Sequence, residues 1–257
     1  MSPSFLLHSF PSVFKNSIKL LILSGLYLST SCSAETNKVV KILPLGDSIT
    51  CASKYKVSYR YPLWKKLVDA NKKVVFIGSK KGADGNFGRT QWDSYKGLAF
   101  PTANECHSGW RTDQVLNGLP NGEKGMDQWL KAYQADIALV HLGTNDVYQH
   151  QSPASTRDEI EQVIAKLRNN NPKIKIILAR IIPMKTDKHV VQLNQLIAKL
   201  ARKLNKPESP VISVDMYRGF SINTDMQKDQ IHPNAKGEVI MAQRWFNALM
   251  KPEMLGK

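Results

Sequence analysis

The sequence lacks a long hydrophobic run. Its most apolar stretch, Leu20 to Leu28, is nine residues, far short of the roughly 20 needed to span a bilayer as a helix. It also lacks internal repeats, low-complexity tracts and a Pro/Ser-rich linker, so solenoid and multi-domain layouts have no support. No HExxH, no CxxC pair and no dense carboxylate cluster is present, which leaves a metal site without a ligand set, and no cofactor is expected. Acidic residues are scarce: 21 Asp and Glu against 36 Lys and Arg give a formal charge of +15. The cations are scattered (Lys65, Lys66, Lys166, Arg168, Lys199, Arg202, Lys203). No basic tract interleaves with aromatics, so they read as a solvated surface and no nucleic-acid partner is expected.

What is present begins with an N-terminus of a different kind. Lys15 and Lys19 precede the apolar segment, and small residues Ser29 to Ala34 follow it. That is the layout of an export signal, giving residues 1–34 as the signal and 35–257 as the single mature domain. Two processing routes fit. Cleavage after Ala34 yields a soluble periplasmic or secreted protein, and cleavage before Cys32 yields a lipoprotein, the one route to a membrane. Export also removes two lysines and no acids, leaving a charge of +13. Of the three cysteines, either route withdraws Cys32 from pairing. Cys51 and Cys106 then remain, as two buried thiols or as a disulfide in an oxidising compartment.

The mature part alternates short apolar segments with helical patterns. Strands are expected at 39–45, 74–78, 137–142, 174–182 and 211–214. Helices are expected at 62–71, 112–116, 124–133, 156–169, 188–204 and 234–250, and residues 80–106 read as a long surface loop. Continuous apolar strands alternating with helices imply a parallel sheet covered on both faces. The expected fold class is therefore α/β, a three-layer α/β/α sandwich with a five-stranded parallel sheet and a flavodoxin-like strand order.

Polar motifs fall at the carboxyl ends of those strands, where open α/β sheets gather their chemistry. Gly46-Asp47-Ser48 follows the first, His107-Ser108-Gly109-Trp110 the second and its loop, Gly143-Thr144-Asn145-Asp146 the third, and Asp229-Gln230-Ile231-His232 the fifth. Acyl transfer needs a nucleophile, a base, a group that orients the base and donors for an oxyanion. Ser48 is the candidate nucleophile. His232 is the candidate base, since imidazole exchanges protons near neutrality. Asp229, three residues earlier, is the candidate acid, preferred over Asp146. The Ser48 and Gly109 N–H groups and the Asn145 amide are the candidate oxyanion donors. Asp47 reads as a turn cap, and His141, on a buried strand, as a hydrogen-bonded core histidine. Cys51 follows Ser48 by three residues and Cys106 precedes Gly109 by three. If both loops line one site the two are neighbours, and a disulfide between them is expected.

These four blocks, in this order, resemble the SGNH or GDSL-type hydrolases, named for Ser, Gly, Asn and His. Leu43 to Thr50, Tyr59-Arg60-Tyr61-Pro62-Leu63-Trp64, His107 to Arg111 and Leu142 to Asp146 bring the resemblance closest to carbohydrate esterases of family 3, the acetylxylan esterase type. Cys51, Cys106 and residues 80–106 depart from that pattern. The resemblance implies a metal-independent serine esterase that removes acetyl groups from polysaccharide; with the export signal, the expectation is an exported esterase whose partner is an acetylated polysaccharide or oligosaccharide. Trp110, Arg111, Tyr59 and Arg60, with Tyr61, are the candidate sugar-binding residues. Two other readings use the same residues: a lipid esterase, lysophospholipase or thioesterase, for which no long apolar lid segment is present, and a non-catalytic carbohydrate-binding protein.

Overall fold

A computed structural model describes residues 38–51, 58–82, 92–185 and 187–256. The expected signal at residues 1–34, with Cys32, lies outside them. The described residues contain seven strands: β1 (Val40–Gly46), β2 (Val74–Phe76), β3 (Lys80–Lys81), β4 (Ala103–Cys106), β5 (Ile137–His141), β6 (Lys175–Arg180) and β7 (Val211–Asp215). The helices that bear on the site are α1 (Ser48–Cys51), α2 (Arg60–Asp69), α3 (Thr112–Asn117), α4 (Met126–Trp129), α5 (Thr144–Tyr148), α6 (Pro153–Asn170), α7 (Asp187–Leu204), α8 (Ile222–Asp225) and α9 (Ala235–Leu249).

Strand β1 is central because both its edges are used. β5 pairs along one edge, and the other is shared, β2 taking Val40 to Ile42 and β4 taking Leu45 and Gly46. Setting aside β4, which is also parallel and shares the β2 edge of β1, and the antiparallel β3, the sheet runs β2-β1-β5-β6-β7. Numbered as five, this is the 2-1-3-4-5 order of flavodoxin-like sheets. Alternating side chains feed two cores. Leu43, Leu45, Ala138, Val140, Ile176 and Leu178 pack into one with α6 and α7 residues such as Ile160, Val163, Leu193 and Ile197. Ile42, Ile137, Leu139 and Ile177 pack into the other with Leu63, Leu67, Met241 and Trp245 of α2 and α9.

The surface-loop expectation for 80–106 needs correction. β3 and β4 form an antiparallel pair at its ends, and β4 then joins the sheet beside β1. Polar letters hid this strand. Asn104 and Glu105 of β4 are fully buried. The Asn104 amide donates to the Gly82 and Thr102 carbonyls at 2.9 and 3.0 Å. The Glu105 carboxylate takes the Ser79 N–H and hydroxyl, both at 2.8 Å, and the Tyr133 hydroxyl at 2.5 Å. Buried polar groups are tolerable when so satisfied. The segment expected as one helix at 124–133 divides into α4 and a 3-10 turn at Leu130–Ala132.

Candidate active site

Register brings three loops level. Gly46, the last residue of β1, lies opposite Cys106 on one side and His141 on the other. The chain after each of these positions therefore emerges side by side at the carboxyl edge. The His107 N–H closes the junction by donating to the Gly46 carbonyl at 2.9 Å. Gly46 is required by proximity: a Cβ there would meet Thr50 Oγ1 at 2.2 Å and the His141 carbonyl at 2.7 Å.

Ser48 is the first residue of α1. Its Oγ lies 2.8 Å from His232 Nε2, and His232 Nδ1 lies 2.8 Å from Asp229 Oδ2. The other Asp229 oxygen accepts the Ile231 and His232 N–H groups at 2.9 and 3.0 Å. That local turn needs a left-handed residue, and Gln230 supplies it at φ +55°. Burial pushes the Asp229 carboxyl pKa up, but these N–H groups and the imidazole outweigh it, so the net effect is a pKa below the usual aspartate value. With Asp229 accepting from Nδ1–H, the Nε2 lone pair faces the serine hydroxyl. Beyond Pro233, the Asn234 side chain caps α9 by accepting from Lys236 N–H and Gly237 N–H at 2.9 and 3.1 Å.

Gly109 sits exposed at φ +79°, where a Cβ would meet nothing within 4 Å. Its loop is grasped by α5 and the residue that follows it. Asn145 Nδ2 donates to the Trp110 carbonyl at 2.9 Å, and Gln149 Nε2 to the Gly109 carbonyl at 3.2 Å. The Asp146 carboxylate accepts the Thr112 N–H at 3.1 and 3.2 Å. Burial raises the Asp146 pKa. Asp146 therefore anchors the glycine loop, and Asp229 is the carboxylate bonded to the imidazole. Gln149 was not legible as part of this assembly, although its i+4 spacing from Asn145 places both on one helix face. Gly143, at φ +111°, starts α5 with a turn that only glycine adopts freely.

Cys51 and Cys106 are disulfide-bonded, with Cα atoms 5.2 Å apart, and join α1 to the end of β4. Asp47 is buried, and its Oδ1 accepts the Ile49 N–H at 2.9 Å, capping the turn. Burial raises its pKa to about 6, against the opposing pull of that N–H and of His232. His141 is fully buried, and neither ring nitrogen has a hydrogen-bond partner among the described residues, contrary to expectation. Burial pushes its pKa down to about 4, so the ring is neutral.

Three of the expected sugar-binding residues face inward. The Tyr59 hydroxyl meets Thr50 Oγ1 at 3.1 Å, its ring packs 5.9 Å from Trp245, and none of it reaches solvent. Arg60 is fully buried and donates to four carbonyls: Thr50 and Cys51 at 2.9 Å, Gly82 at 2.8 Å and Thr102 at 3.0 Å. It thus caps the carboxyl end of α1. Burial lowers its pKa to about 10. Trp110 is buried and stacks on His107 with ring centres 4.2 Å apart. Tyr61 lies in an aromatic cluster with Trp64 and Phe100. Arg111 alone of the four named first stays on the rim, its guanidinium held by both Asp113 oxygens at 2.9 and 2.8 Å and by Gln149 Oε1 at 2.7 Å.

A separate cavity of about 540 Å³ opens at the carboxyl ends of β6 and β7 beside α7, and none of its lining residues belongs to the Ser48 constellation. Among the described residues, no group of three or more His, Cys, Asp and Glu side chains is arranged to hold a metal ion.

The sequence profile of the GDSL-like Lipase/Acylhydrolase family matches residues 42–245. A carbohydrate esterase family 3 structure from Talaromyces cellulolyticus is 28% identical, with a TM-score of 0.71 over 84% of this chain and 98% of that one. An acetyl esterase solved with an acetate ion is 27% identical, with a TM-score of 0.70 over the same shares of the two chains. A multidomain esterase of Ruminococcus flavefaciens is 28% identical over 225 residues, covering 82% of this chain. The chain spans only 28% of that protein's length.

Proposed function

The chain belongs to the GDSL-like lipase/acylhydrolase family and is a carboxylic ester hydrolase, and from that premise we propose that it is an exported serine esterase that removes O-acetyl groups from carbohydrate. The observation that carries the chemistry is the unbroken relay from Asp229 through His232 to Ser48, with both links at 2.8 Å. The likeness to an acetyl esterase and to a family 3 carbohydrate esterase supports the acyl group and the substrate class. The buried disulfide supports export, since such bonds persist in oxidising compartments.

In this reading Ser48 Oγ attacks the acetyl carbonyl carbon while His232 Nε2 takes its proton. The imidazolium that forms is held by Asp229. Negative charge collects on the former carbonyl oxygen, where the Ser48 and Gly109 N–H groups and the second Asn145 Nδ2 hydrogen receive it. The C–O bond to the sugar breaks, His232 returns the proton to the departing sugar hydroxyl, and an acetyl-serine remains. Water, deprotonated by His232, attacks that ester, and acetate leaves as Ser48 recovers its proton. Each component of the charge relay is supplied by the chain itself.

The test is acetate release from acetylated xylan and other acetylated polysaccharides, alongside acetyl, butyryl and octanoyl esters of one alcohol, with and without a chelator. The expected result is acetate from at least one polymer, rates falling steeply with acyl length, and no chelator effect. A preference for octanoyl esters would favour a lipid esterase, and activity that appears only with divalent cations would overturn the metal-free scheme.

A further inference from the structure

With Tyr59 and Trp110 turned inward, a sugar ring needs another platform. Among the described residues Tyr148 is the one exposed aromatic side chain, with 56% of its surface in solvent. It is the last residue of α5. Asn145, Tyr148 and Gln149 stand at i, i+3 and i+4, so they share one face. The other two members of that face hold the glycine loop, Asn145 by the Trp110 carbonyl and Gln149 by the Gly109 carbonyl. Tyr148 lies on the same short helix between these two residues, with its side chain in water. Gly109 opens toward empty space. Arg111 completes the rim. Its plane is fixed by Asp113 and Gln149, which engage Nε, Nη1 and Nη2 once each, leaving the second hydrogens of Nη1 and Nη2 without a partner among the described residues.

An exposed tyrosine one residue before the Gln149 amide that engages a fixed, partly unsatisfied guanidinium supplies an apolar face and directed donors on one helix end. That is the pairing a pyranose requires, with C–H groups on its flat face and hydroxyls at its edge. We infer that Tyr148 and Arg111 form the subsite for the sugar unit that carries the acetyl ester, Tyr148 stacking on the ring and Arg111 donating to a hydroxyl. This rests on the carbohydrate reading above and names the residues that select for it.

The experiment compares kcat/KM on an acetylated xylo-oligosaccharide with that on ethyl acetate, which has no ring to stack. Tyr148→Ala is expected to lower the ratio of the two about threefold to tenfold, mainly through KM on the sugar, while Tyr148→Phe keeps the ratio within about twofold. Arg111→Gln is expected to lower it as well. An unchanged ratio in Tyr148→Ala, in an enzyme whose wild type deacetylates the oligosaccharide, would overturn the subsite alone. So would equal losses on both substrates. A wild type that hydrolyses ethyl acetate but releases no acetate from any acetylated sugar would overturn the carbohydrate reading and the subsite with it.

Discussion

The two sides of the relay are built differently. The nucleophile's side is enclosed: α1 is tied to β4 by the Cys51–Cys106 bond, its last carbonyls are held by buried Arg60, and buried Asp47 caps its first turn. The base's side is open, with the His232 and Asp229 side chains 25% and 43% exposed. It is ordered by one carboxylate bonding two N–H groups and the ring, and by the Asn234 cap. In the proposed mechanism, preorganisation is thus concentrated where the covalent bond would form and where the oxyanion donors would have to keep their spacing. The base needs only the correct tautomer and direction, which a single aspartate provides. Damage to the first side should therefore show as lost stability, and damage to the second as lost turnover.

The sharpest separation comes from the base side. His232→Ala is expected to lower kcat by at least about 10⁴-fold with little change in Tm, read from steady-state hydrolysis and thermal melts. Asp229→Asn, combined with His232→Ala, should add little to the loss from His232→Ala alone, because the two act as one unit. Losses that multiply would detach Asp229 from the base.

On the enclosed side, Arg60→Met takes one donor from each of four carbonyls; Thr50 keeps the Ser58 hydroxyl and Gly82 and Thr102 keep the Asn104 amide, so the Cys51 carbonyl is hit hardest. The substitution is expected to cost about 3 kcal/mol or more of unfolding free energy, measured by denaturant titration, and Arg60→Lys should not restore it because an ammonium cannot span that fork. A well-folded, fully stable Arg60→Met protein would show that α1 is fixed by other means. Replacing Cys51 and Cys106 together by alanine is expected to cost about 2–4 kcal/mol and to leave kcat less affected than stability.

The smallest effect is a pH dependence. The Asp47 pKa is raised by burial from 3.8 to about 6. Between those values the folded protein holds a proton that the unfolded chain has released, so this group makes stability fall as pH rises from 4 to 6. The stability difference between wild type and Asp47→Asn should therefore shift in the variant's favour across that window. A difference independent of pH would place the proton elsewhere.

The fold was legible wherever burial is written in apolar letters. β1, β5, β6 and β7 announce themselves as continuous runs, and the motifs at their ends fix where the relay assembles. β4 was not legible, because its buried residues Asn104 and Glu105 are polar and satisfied only by partners distant in the sequence. The same blindness misplaced Tyr59, Arg60 and Trp110. Position beside a motif gives proximity to the site but not direction, and Arg60, the first residue of α2, turns inward to the α1 carbonyls. Asp146 and Gln149 could be found from spacing once α5 was placed, since both lie within four residues of Asn145. The burial of Arg60 could not, because two of its four acceptors, the Thr102 and Gly82 carbonyls, belong to segments that meet it only after folding.

The most direct measurement is the site of covalent capture by a fluorophosphonate, mapped by peptide mass spectrometry on the native protein. The expected result is a single adduct on Ser48 that forms in step with loss of esterase activity and is absent from Ser48→Ala. An adduct on any other residue, or full esterase activity in a protein that takes up no label at Ser48, would contradict acyl transfer through this serine.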